Sequence, residues 1–184
     1  MLMCVFCGMI FIVFNGAMHV ISRRNLSLAV KIADVLSKSL DSLLMNKSHD
    51  GCIKLTSLLV ADALHELKVQ FKRITPYIFY SSAGALAARL GLLPVASDRK
   101  SGLKTKSVIY MCREECLDTV SDLLDEAWLT VGRVARDLAS KCGGKMLSFH
   151  EVREVLRSSL GKDPSKNHVL WTLGYLYAHV RKIV

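Results

Sequence analysis

Residues 75–97, TPYIFYSSAGALAARLGLLPVAS, decide the fold. Thr75 is a helix N-cap residue, because its hydroxyl can accept from an amide that the first turn leaves unpaired. Pro76 suits the first helical position, where a missing N–H costs nothing. Gly91 suits the position just past the end, where the backbone turns left-handed. The spacing therefore predicts a helix over 76–90. Residues 92–96 (LLPVA) then form a short apolar run.

Working outward, residues 97–102 (SDRKSG) are a polar turn. Residues 103–112 alternate and end in the β-formers Val108, Ile109 and Tyr110, so the two runs predict a hairpin. On the other side, Leu26, Ala29, Ile32, Ala33, Leu36, Leu40, Leu43 and Leu44 recur at helical spacing over 25–45. NKSHDG (46–51) is a turn cluster, and 55–71 reads as a second helix.

Beyond the hairpin, Leu117, Val120, Leu124, Ala127, Val131, Val134 and Leu138 keep a three–four spacing. They predict one long helix over 113–141 whose stripe needs a partner helix. Cys142-Gly143-Gly144 ends it. Ser148-x-x-Glu151 is a capping box opening a short helix to Leu160. Gly161-Lys-Asp-Pro is a turn, and a last helix follows over 164–183. This C-terminal pair closes the core or a dimer interface. A second helix-turn-helix, with Lys162, Lys166 and His168 near a helix start, is the less favoured alternative.

The composition sets the function classes. Hydrophobic residues are 51% of the 184, enough for a real core, and the net charge is +9. That surplus favours phosphates, anionic membranes or acidic proteins as partners. Amides are scarce (Asn15, Asn25, Asn46, Asn167 and Gln70), a thermophile-like composition. The cysteines Cys4, Cys7, Cys52, Cys112, Cys116 and Cys142 lack a zinc spacing completed by His. They read as reduced, mostly buried thiols of an intracellular protein. The six histidines are scattered. His65-Glu66 and His150-Glu151 lack the second His of a zinc protease, and no phosphate-cradling Gly-rich loop or nucleophile elbow occurs. No catalytic residue, metal or cofactor is expected.

Residues 1–21 are apolar over about the length of a membrane helix, and Arg23-Arg24 would hold the following chain in the cytoplasm. Two readings stay open: a genuine apolar, membrane-anchoring segment, or an over-extended frame with Met18 as the true start.

Helix, helix, turn, helix and hairpin over 26–112 resembles the winged helix-turn-helix family, carried by LTSLLVADALHEL, TPYIFYSSAGALAARLGLL and the basic hairpin ending KTKSVIYM. The resemblance implies a mainly α chain with a small β-hairpin, in which the helix before the hairpin faces bases and the hairpin tip meets backbone phosphates. The domains are then an apolar segment (1–21), a winged-helix domain (22–112) and a long helix with a C-terminal helical pair (113–184). Expected contacts to double-stranded DNA are Lys72, Arg73, Tyr77, Tyr80, Ser81 and Arg89, with Arg99, Lys100, Lys104 and Lys106 around Gly102 at the tip; Ser82 lies on the same helix. The stripe from Leu117 to Leu138 would join two copies into a homodimer on two half-sites. The resulting expectation is a cytoplasmic, nucleoid-associated regulator. A protein-interaction subunit that grips an acidic partner and a membrane-tethered regulator are the rivals.

Overall fold

The computed structural model describes residues 5–6, 9–14, 17–46, 51–97, 107–142 and 145–180. The described residues of the apolar N-terminal segment are strands rather than a helix. They form an antiparallel meander of β1 (Val5–Phe6), β2 (Met9–Phe14) and β3 (Ala17–Ser22). Among the described residues, no helix is long and apolar enough to cross a membrane.

The body is mainly α-helical with one small three-stranded sheet. Helix α1 (Arg23–Asn46) is followed by β4 (Cys52–Thr56), α2 (Ser57–Glu66) and α3 (Pro76–Leu90). The hairpin strands are β5 (Leu93–Ser97) and β6 (Val108–Cys112). A 3-10 segment (Glu114–Leu123), α4 (Glu126–Lys141), α5 (Phe149–Leu160) and α6 (Lys166–Val180) complete the chain.

The helix ends follow from capping chemistry. Thr75 accepts from the Ile78 N–H at 3.3 Å, and Gly91 takes φ 69°. Ser148 and Glu151 form both halves of the capping box.

The sheet runs in the order β4–β6–β5, all antiparallel. Strand β4 is a departure from the sequence expectation, which starts the second helix at Leu55 and assigns no element to 52–54. It pairs along its whole length with β6, from Cys52 opposite Cys112 to Thr56 opposite Val108. Pro94 sits on β5, an edge strand, where its missing N–H breaks no ladder. A bulge falls between Pro94 and Ala96. The freed Val95 carbonyl accepts from the Asp125 N–H at 2.7 Å.

That bond explains why the expected long helix is two pieces. Asp125 is pinned to β5, and its carboxylate caps the Ala127 and Trp128 amides. Val120 leaves helical geometry. The apolar stripe is consequently shared between two sites within the chain. Leu117 and Leu129 join Leu93, Val95 and Cys112 under the outer face of the sheet. Val131 and Ala135 enter the main core. Val120, Leu124, Ala127, Val134 and Leu138 are half-buried. Part of the stripe is thus packed within the chain.

The cysteine reading is also corrected. Cys52 and Cys112 form a disulfide across β4 and β6, while Cys116 and Cys142 are free.

Candidate nucleic-acid interface

Helix α3 is the centre of the molecule. Every residue from Phe79 to Ala88 is buried. A helix rich in Ala, Gly and Ser allows its neighbours to approach closely, and one buried on all sides belongs in a core. The partner is α6. A Cβ built on Gly84 would lie 1.9 Å from the Trp171 carbonyl oxygen, and one on Gly174 would lie 2.0 Å from that of Ser81. The two backbones touch. The C-terminal pair thus closes the core: Val169 to Leu176 are all buried, and His168 is 3% exposed.

This geometry relocates the expected site. Tyr80 is 7% exposed, and Ser81 and Ser82 are 0%, so none of them presents itself to bases. Tyr80 stacks on Trp128, with ring centroids 5.8 Å apart, and the Trp128 indole N–H donates to Ser97 Oγ at 3.1 Å. Ser81 Oγ donates back to the Tyr77 carbonyl at 2.6 Å. Arg89 is engaged as well: its Nε donates to Asp34 Oδ1 at 2.8 Å, tying α3 to α1. The expectation that α3 faces bases is corrected for these residues, because the face is occupied by α6, α4 and α1.

Tyr77 is half-buried, but its hydroxyl is fully covered and has no hydrogen-bond partner among the described residues. Burial pushes its pKa up to about 12 from 10.0. The folded state therefore favours the neutral phenol. That preference contributes stability below about pH 10 and is lost as pH rises from 10 through 12. Tyr77→Phe is expected to unfold less steeply over that alkaline window, and to be at least as stable as the parent near pH 7, since an unsatisfied buried hydroxyl is removed. Thermal melts from pH 8 to 12 check both signs; a parallel fall in the two proteins would count against this account.

Among the described residues, what remains open is the link between α2 and α3. Lys72 and Arg73 are exposed. The basic connection at 98–106, with Arg99, Lys100, Gly102, Lys104 and Lys106, lies outside the described residues. Its base is held to α2: the Ser57 N–H donates to the Ser107 carbonyl at 3.1 Å. Strand β4 adds a cation that the sequence reading missed. Exposed Lys54 lies over the Tyr110 ring, 5.5 Å from its centroid.

A hook ends α2 at Glu66, short of the Phe71 limit expected from the spacing. His65, Lys68, Val69, Gln70, Phe71 and Lys72 line a groove of about 760 Å³ there. Among the described residues, no cluster of three or more His, Cys, Asp or Glu is placed to hold a metal ion.

No family model, curated protein or solved structure matches the chain.

Proposed function

We propose that this chain is a nucleic-acid-binding protein of the winged helix-turn-helix type that grips phosphates rather than reading bases with its third helix. The observation that carries the reading is the order α1, α2, α3 and then the hairpin β5–β6, with β4 added at its side. A hairpin that leaves directly from the end of α3 and carries Arg99, Lys100, Lys104 and Lys106 in its connection is suited to neutralise a polyanion. Lys72 and Arg73 supply two more cations on the link between α2 and α3. Such contacts position a protein on nucleic acid without specifying sequence.

A mobility-shift assay with duplex DNA, single-stranded DNA and RNA at several salt concentrations tests this. With up to six phosphate contacts, the log–log salt slope on duplex should be no steeper than about −5. Lys100→Met with Lys104→Met should flatten it by about 2, with little change in preference among sequences. Absence of a shift with all three nucleic acids at low salt would overturn the reading.

One observation favours a second reading. Closure of α3 by α6 removes the surface that would specify a DNA site, which suits a subunit whose basic hairpin grips an acidic protein. In that case the hairpin variants lose the protein partner while leaving any weak nucleic-acid binding unchanged.

A further inference from the structure

The hook after α2 contains the one non-glycine residue with positive φ among the described residues, Lys68 at 55°. The helix ends there in a paired set of bonds. The Lys68 N–H donates to the His65 carbonyl at 2.9 Å, and the Val69 N–H donates to that of Leu64 at 3.0 Å. Glycine is the residue this geometry favours. The chain uses it at the ends of α3 and α5, where Gly91 and Gly161 take φ 69° and 64°. A side chain in that conformation costs about 1 kcal/mol. At the end of α2 the chain accepts that cost and gains an exposed ammonium.

Lys68 lines the groove. Lys72 stands there too, and the lining set of His65, Lys68, Val69, Gln70, Phe71 and Lys72 has no carboxylate. Half-buried Phe71 meets His65 edge-on, with ring centroids 5.7 Å apart at 83°, which braces the phenyl ring. Gln70 is exposed, and its amide offers both a donor and an acceptor. A volume of about 760 Å³ lies within the range of small-ligand sites, about 300–1,000 Å³. An aromatic face, an amide and two cations are the parts that recognise a nucleotide. Bases stack on aromatic rings, amides pair with exposed base edges, and lysines hold phosphate.

We infer that this hook binds a single unpaired nucleotide, with its base on Phe71, its edge at Gln70 and its phosphate between Lys68 and Lys72. The inference rests on the phosphate-gripping reading above and adds to it a preference for unpaired strands. The nucleotide can belong to a single strand or be free in solution.

The test uses the full chain and three ligands: a fluorescein-labelled oligo-dT of about 12 nucleotides, a labelled duplex of the same length, and AMP followed by calorimetry. Phe71→Leu keeps an apolar side chain in the wall and removes the stacking face. It should weaken oligo-dT about tenfold, leave duplex binding unchanged, and leave the salt slope unchanged. Lys68→Gly should raise the melting temperature by relieving the backbone, yet flatten the single-strand salt slope by about 0.7. AMP binding that Phe71→Leu abolishes, with no oligo-dT binding, supports the hook and assigns it to free nucleotides. Duplex binding with a steep salt slope, together with a Phe71→Leu variant that binds oligo-dT and AMP as the parent does, overturns the hook and leaves the phosphate reading standing. Absence of duplex and oligo-dT binding, with AMP still bound through Phe71, does the reverse.

Discussion

Gly84→Ala is expected to be among the most damaging single substitutions in the chain, costing at least about 3 kcal/mol. The added methyl would meet the Trp171 carbonyl oxygen at 1.9 Å, its carbon at 2.8 Å and the Tyr175 nitrogen at 2.9 Å. These are backbone atoms of a buried helix, not the end of a flexible side chain, so α3 and α6 must separate to admit it. Separation opens gaps around Phe79, Leu86, Trp171 and Leu173, which are among the most deeply buried side chains, and tightly packed interiors absorb such shifts poorly. Gly91→Ala is the control. Nothing lies within 4 Å of its added Cβ, and φ is 69°, so only the backbone penalty of about 1 kcal/mol applies. Urea unfolding of the two variants checks the ranking. A Gly84→Ala midpoint no lower than that of Gly91→Ala would mean that the helices do not cross so closely.

That crossing also marks where local reading ends. The limits of α3 were legible because Thr75, Pro76 and Gly91 act within one turn of the helix end. The capping box at Ser148 was legible for the same reason. The composition of α3 was legible too, since its Ala and Gly residues announce close packing. Its partner was not, because Gly174 lies in another helix and nothing near Gly84 points to it. Strand β4 escaped because its only ladder partner is β6, which lies beyond two helices in the chain. The end of α2 escaped because Lys68 stands where a glycine would have marked the stop. The break at Leu124–Asp125 contains no Gly or Pro; a bond from Asp125 to the bulge in β5 makes it. For the site, the exposed cations Lys72 and Arg73 were legible from charge alone. The burial of Tyr80 and Ser81 and the pairing of Arg89 with Asp34 follow from tertiary packing.

Removing the Cys52–Cys112 bridge should cost about as much as opening the helix crossing, but through the unfolded state. The two cysteines are 60 residues apart in sequence, and releasing a loop of that length returns chain entropy worth about 4 kcal/mol to the denatured ensemble. For a chain of this size that corresponds to a fall in melting temperature of roughly 10 °C. The double variant Cys52→Ala, Cys112→Ala tests it, as does a melt of the parent protein with and without reductant. Non-reducing peptide mapping supplies the independent readout. The peptides containing Cys52 and Cys112 should run as one, while half-buried Cys116 is alkylated. Equal melting temperatures with and without reductant, or alkylation of all three thiols, would restore the reduced-thiol reading made from composition. A bridged pair does not by itself argue against an intracellular site. Intracellular proteins of hyperthermophiles are disulfide-rich. The bridge also bears on function. It ties β4 to β6 directly opposite one another, and the same two strands anchor the start of α2 to the base of the hairpin through Ser57 and Ser107. Under the phosphate-gripping reading, reduction should therefore weaken nucleic-acid binding at temperatures where the fold is still intact, because the basic connection loses its frame before the helical core melts.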